Sequence, residues 1–466
     1  MTKPVTRQMD GVRSGHGPWP GVSRRAVLWR FVCAAAFALF VASRGLAAEE
    51  MTEAEAIAEL QRLGAYLNGI DTVAAGKREI ARATGANLGA QHAHEKMRLL
   101  KHLPWLETVT AYAIEDTDLE DVQRLPRLRS LGIRNSSITE KGIAHLLRLA
   151  ALRELYVERT NITEAGIAEL GKLRNLTHLW LSGSDVDDAA IMKLAALAKL
   201  ETLLLSNCRV SGAGLASLRG LAHLTRLTVS SPEVRDGAIG ELRGLRLTEL
   251  HIGDAITDAG LSDLRAFPEL RSLILDGLPI TDAGLAHLGA LGNLESLGLN
   301  GTSITDAGIE KLAGLTNLRR LGLNGTKITD AGLEKLLPPH PPSSRANRSA
   351  ERKNAGVVGL SSLVELRLEG TAITDAGLKC LAKFDDLSVL YLRGTKVSDK
   401  GMDDLQRARG VSIRSWPREP GAGGAGGRVE RPLPPDVVRD RDTGRGAKTR
   451  PSRERARNRR RGKGDD

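Results

Sequence analysis

The chain has 466 residues, three cysteines, 3% aromatic residues and a formal net charge of +11. Seven basic residues and one acidic lie in 1–48, fifteen and eight lie in 417–466, and the stretch 49–416 between them carries only −2. The positive charge therefore belongs to the two ends, which excludes reading the body as a basic nucleic-acid-binding domain.

Residues 1–48 have the order of an export signal. A basic stretch holding Ser23-Arg24-Arg25-Ala26-Val27-Leu28 leads into the apolar run Phe31–Ala42, then Arg44 and the small-x-small site Gly45-Leu46-Ala47. This is the charged, apolar, cleavable order of a signal peptide. Twelve apolar residues span only about 18 Å as a helix, short of a bilayer core, so no transmembrane span is expected in the mature chain. The paired arginines resemble a bacterial twin-arginine signal, with Val27 in place of the usual Phe; the alternative is an ordinary secretory signal with a chance arginine pair. Either route exports the protein to the periplasm, the cell envelope or the medium. Cys33 has no lipobox before it, so no lipid anchor is expected.

Residues 49–99 read as an N-terminal capping region. Within it, 52–67 reads as one amphipathic helix covering the exposed end of the first repeat, as a terminal unit must. His92, His94 and Glu95 cluster, but no fourth ligand stands near them in the sequence. Exposed polar residues are the preferred reading, and neither a metal nor a cofactor is expected.

From Ile114 one pattern recurs, clearest in Ile280-Thr281-Asp282-Ala283-Gly284-Leu285 with Leu288, Leu291, Leu294, Leu297 and Leu299 behind it. Copies open at Ile114, Ile138, Ile162, Val186, Val210, Val234, Ile256, Ile280, Ile304, Ile328 and Ile373. The period is 24 almost throughout, and the copy at Val234 is two residues shorter. A degenerate unit (Leu103, Leu106, Val109) precedes them and a truncated one follows from Val397. Leu297 and Leu299 alternate with other residues, the mark of a short half-buried strand; Leu285, Leu288 and Leu291 recur every three residues, as on one helix face. Thr281 can cap that helix, and Asp282 in its first turn suits the helix dipole. One unit cannot bury its leucines alone, and stacked neighbours can. The expectation for 100–416 is therefore an α/β solenoid, a horseshoe with parallel strands on the concave face and helices on the convex face.

The motif resembles the leucine-rich-repeat superfamily. It is most similar to the ribonuclease-inhibitor-like and cysteine-containing repeats, and to bacterial proteins built of T-x-I-T-D-A-G-L units. Cys208 stands at the cysteine position of that subtype, which Thr302, Thr326, Thr371 and Thr395 otherwise occupy. The resemblance covers roughly 100–415 and implies a scaffold defined by its binding partners.

Binding is expected where strand residues beside the buried leucines face outward. One such residue per repeat forms a column: Gly132, Tyr156, Trp180, Leu204, Thr228, His251, Ile274, Gly298, Gly322, Arg367 and Tyr391. Tyr156 and Trp180 fall side by side although Leu155, Val157, Leu179 and Leu181 already fill the inward positions, which points to an interface hot spot. Stacking that stabilises the sheet is the alternative. Glu154, Glu158 and His178 flank the pair, and Arg226, Glu249, Arg320, Glu365, Glu369 and Arg393 lie farther along. Mixed signs suit a protein ligand better than a uniform polyanion. The candidate partner-binding set is Glu154, Tyr156, Glu158, His178, Trp180, Leu204, Arg226, His251, Arg367 and Tyr391, on a chain expected to be monomeric.

The period breaks at 338–358, where Pro338-Pro339-His340-Pro341-Pro342 opens an insertion expected to be a disordered loop, either partner-binding or merely tolerated. Cys208 and Cys380 are seven repeats apart, about 30 Å at one strand spacing per repeat, so no disulfide is expected. Residues 417–466 read as a disordered basic tail: 445–463 holds ten basic residues and one acidic, and no aromatic. Such a run can bind an envelope polyanion or anionic lipid, or stay solvated, and it lacks the stacking groups of a specific nucleic-acid binder. Gly421-x-Gly423-x-x-Gly426 is preceded by no predicted strand and is rejected as a nucleotide fingerprint. No catalytic motif is found, and the protein reads as a non-enzyme.

Overall fold

A computed structural model describes residues 51–75, 78–182, 186–337, 360 and 362–414. The export segment 1–48, the insertion 338–358 and the tail 417–466 lie outside the described residues.

Each repeat contributes one short strand. In chain order these are β5 (Thr108–Tyr112), β6 (Ser130–Arg134), β7 (Glu154–Glu158), β8 (His178–Ser182), β9 (Thr202–Ser206), β10 (Arg226–Val229), β11 (Glu249–Ile252), β12 (Ser272–Ile274), β13 (Ser296–Gly298), β14 (Arg320–Gly322), β15 (Glu365–Arg367), β16 (Val389–Tyr391) and β17 (Ser412–Arg414). Four strands precede them: β1 (Tyr66–Asn68), β2 (Asp71–Ala75), β3 (Arg78–Arg82) and β4 (Gly85–Asn87). From β4 onward every neighbour is parallel and next in sequence, and β1 closes the N-terminal edge antiparallel to β4, giving one 15-stranded sheet. β2 and β3 form a separate antiparallel pair. The register moves by one repeat at a time, so Leu297 faces Leu273 on one side and Leu321 on the other. These inward leucines, with Leu299 and Leu323, are 0–1% exposed and belong to one continuous core. Truncating any of them to alanine removes about 2–5 kcal/mol.

The convex segments are shorter than full helices. In the repeat opening at Ile280 only Asp282–Leu285 is α-helical, and Leu288 and Leu291 lie in the turns after it. Where the unit is two residues short the segment is 3-10 throughout, Gly240–Leu242, and the next is also 3-10, Gly260–Ala266. A leucine every third residue matches the three residues per turn of that tighter helix.

The I-T-D-A-G-L stretch has a second role beyond capping. Thr329 accepts from Ala331 N–H as the cap, and its own N–H and Oγ1 donate to Asp306 of the preceding repeat at 2.8 and 2.5 Å. The same aspartate-to-next-repeat pair runs unbroken from Asp236 through Asp258, Asp282, Asp306 and Asp330 to Asp375, and appears again at Asp116 and Asp188. The glycine is part of this contact: a Cβ at Gly332 would collide with the Asp306 carboxylate. Between each strand and the next such stretch, Thr302, Thr326, Thr371 and Thr395 each donate Oγ1 to the carbonyl three residues back, and Cys208 Sγ donates to Ser230 O at 3.4 Å. Cys208 and Cys380 are buried free thiols.

The N-terminal cap differs from the expected single helix over 52–67. The helix is α1 (Glu53–Arg62), opened by a Thr52–Glu55 capping box. Gly64, at φ +80°, ends it: Gly64 N–H donates to Gln61 O and Ala65 N–H to Leu60 O, and the chain leaves as β1. That paired closure is the usual glycine helix stop. His92, His94 and Glu95 do not converge. His94 Nδ1 meets Asp118 at 2.7 Å, His92 meets Glu95 at 3.4 Å, and no metal-competent cluster exists among the described residues.

Candidate binding face

The parallel register sets the outward column in one row, Thr110–Gly132–Tyr156–Trp180–Leu204–Thr228–His251–Ile274 and on to Gly298, Gly322, Arg367, Tyr391 and Arg414. Tyr156 and Trp180 pack edge to face, centroids 6.1 Å apart and planes at 61°. Such a pair is worth about 0.5–1.5 kcal/mol beyond its buried area. Both rings remain part-exposed over the fully buried leucines beneath.

The surroundings of the pair are polar and partly unsatisfied. Tyr156 Oη donates to Glu154 at 3.2 Å, and burial, then the Glu154 charge, push the phenol up to about 12. Arg134 meets Glu158 at 3.0 Å and lies 6.0 Å from the Tyr112 ring centroid. Trp180 Nε1, Arg134 Nε and Thr202 Oγ1 are shielded from solvent and meet no hydrogen-bond partner among the described residues. Groups so placed cost stability in the free protein.

The sequence candidates divide into two groups. Glu154, Tyr156, Glu158, His178, Trp180 and Leu204 lie together on β7, β8 and β9. Arg226 is on the next strand, 3.7 Å from Glu249, followed by His251, whose pKa is lowered by burial against the opposing pull of Asp276 and Asp254. Arg367 and Tyr391 are far away on β15 and β16, where the guanidinium sits 5.1 Å from the ring centroid and donates to Glu365 at 2.7 Å. Tyr112 and Arg134 complete the N-terminal patch, in the same row as Glu158. Their phase in β5 and β6 was the available signal, weakened because β5 belongs to the degenerate unit.

Between the two groups the face is smooth for a structural reason. Asn300 N–H and Nδ2 donate to Asp276, Asn324 N–H donates to Asn300, and Glu369 N–H donates to Asn324. This polar ladder lies over the column, and a side chain at Gly298 or Gly322 would run into Asp276 or Asn300.

Repeated strand–turn–helix units, one parallel sheet and a continuous leucine core define a leucine-rich-repeat solenoid. A family model described as Leucine Rich repeat matches residues 314–337 and 359–382, two of these units. Among solved structures, an internalin from Listeria monocytogenes is similar at 20% identity and TM-score 0.48, over 78% of this chain and 94% of that one. A leucine-rich-repeat protein of Leptospira interrogans is similar at 17% identity and TM-score 0.42, over 68% and 80%. The ectodomain of an Arabidopsis thaliana membrane receptor kinase, solved in complex with Casparian strip integrity factor 2, is similar at 15% identity and TM-score 0.37, over 75% of this chain and 51% of that one. No curated protein matches the sequence.

Proposed function

We propose that this protein is an exported bacterial scaffold, without catalytic activity or cofactor, that binds a protein ligand through the N-terminal half of its concave face. The observation that carries the proposal is the part-exposed Tyr156–Trp180 pair lying over a sheet whose core is already filled by leucines. Neighbouring aromatic rings ringed by charges of both signs are the composition of an interface hot spot. Export rests on the signal-like order of 1–48; no helix among the described residues is long and apolar enough to cross a membrane.

The test is capture from the native cell envelope by wild type, by Tyr156→Ala/Trp180→Ala, and by a chain lacking 417–466. A ligand held by wild type and the truncated chain, and weakened at least about 100-fold by the double substitution, is the expected result. Equal capture by the double variant sinks the aromatic site. Capture lost only on truncation favours the second reading, tethering through the basic tail, which is motivated by its fifteen basic residues against eight acidic.

A further inference from the structure

Because every strand from β4 onward points the same way, the segments entering the strands form one rim of the sheet and those leaving them form the other. The leaving rim is acidic for a reason internal to the fold, since its aspartates hold the next repeat through the threonine and serine contacts described above. The entering rim has charge without that reason. Its consecutive segments 123–129, 147–153 and 171–177 carry seven basic residues and no acidic one.

Farther along the same rim three cations are paired with acids, Arg219 with Glu241, Arg243 with Asp263 and Arg271 with Glu295, each at 2.5 Å, and the exposed Arg246, Arg265 and Arg319 stand one to a segment. At the N-terminal end only Lys172 meets an acid among the described residues, Glu169. Arg124, Arg129 and Arg148 are exposed and make no ion pair among the described residues. Arg127 stacks on Trp105, 3.9 Å from the ring centroid, and Arg82 covers the other face at 3.8 Å. Stacking through the guanidinium plane leaves N–H edges free to meet oxyanions. Apolar groups stand among these cations: Trp105 is part-exposed, and Leu147, beside Arg148, is 40% exposed. Cations alone fit any polyanion, whereas cations interleaved with Trp and Leu fit a layer of phosphate headgroups over hydrocarbon.

We infer that this N-terminal rim is a docking surface for an anionic phospholipid bilayer, separate from the concave aromatic site and from the tail. One basic residue at an anionic surface changes partitioning by roughly fivefold. The full chain is therefore tested by flotation with vesicles of phosphatidylglycerol and phosphatidylcholine. Arg124→Gln/Arg129→Gln/Arg148→Gln is expected to lose about 100-fold in partitioning. Arg219→Gln/Arg243→Gln/Arg271→Gln, which removes the same formal charge from the neutralised part of the rim, should lose less than about tenfold. Leu147→Asp, a single exposed change, should lower partitioning about tenfold with the thermal unfolding midpoint unchanged. Equal losses in the two triple variants, or none in the first, overturn the proposal. So does binding of soluble linear polyphosphate as tight as binding of vesicles with the same dependence on the three arginines, because the site then reads a polyanion and not a bilayer.

Discussion

His251 shows how a single side chain on this face carries both signal and cost. It stands in the outward column between Thr228 and Ile274. Burial lowers its pKa below the ordinary 6.5, although Asp276 and Asp254 pull the other way. The unfolded chain therefore takes up this proton first. The stability linked to the neutral ring is fully present above pH 6.5 and is lost as pH falls through that value toward the folded-state pKa. Thermal unfolding at pH 7.5 and pH 5 should show wild type losing more stability than His251→Gln; equal losses would mean that the imidazole is not the group responsible. The sequence placed His251 in the column through its phase between buried Leu250 and Ile252. It could not supply the pKa direction, because the burial comes from neighbouring repeats and the two aspartates come from different turns.

At the scale of the element, the contact that joins one repeat to the next is the aspartate–threonine–glycine set. Asp306 accepts two hydrogen bonds from Thr329, and Gly332 is small because that carboxylate lies against it. Asp306→Ala should cost about 1.5–3 kcal/mol through the loss of charge-assisted bonds. Gly332→Ala should also destabilise the wild type. In the Asp306→Ala background the carboxylate collision is gone, Ile328 Cγ2 at 3.1 Å remains and has to give slightly, and a gain of alanine over glycine inside Asp330–Leu336 of at most about 1 kcal/mol emerges. Urea unfolding of the four proteins should therefore give a coupling energy well above 0.5 kcal/mol, and additive effects would disprove the contact. The repeat made the strand phase, the threonine cap and the parallel stack legible, because all three follow from apolar spacing and local capping. The cross-repeat bond was not legible: an acidic residue in a first helical turn already has a sufficient local explanation in the dipole. The C-terminal end of the helix expected over 52–67 was misread, and the strands after it went unread, for a different reason. Strands of three residues such as β1 and β4 show no alternation to detect, although Gly64 marked the helix end.

At the largest scale, the described residues from β4 onward form one row of repeats whose sides differ in chemistry. Leucines fill the interior, aspartates bind repeat to repeat along one rim, and arginines crowd the N-terminal part of the other. Features without a structural need gather at the same end: the Tyr156–Trp180 pair, its unpartnered polar atoms, and the un-neutralised arginines. The C-terminal half is smoothed by glycine and the asparagine ladder, apart from Arg367 and Tyr391. This is the basis for proposing recognition at the N-terminal half of the concave face. Amide hydrogen exchange of the free protein and of its complex with the captured ligand tests this most directly. The account predicts slowed exchange concentrated in 154–158, 178–182 and 202–206, and little change in 365–367 and 389–391. Slowing confined to β15 and β16, or to the convex segments, would contradict it.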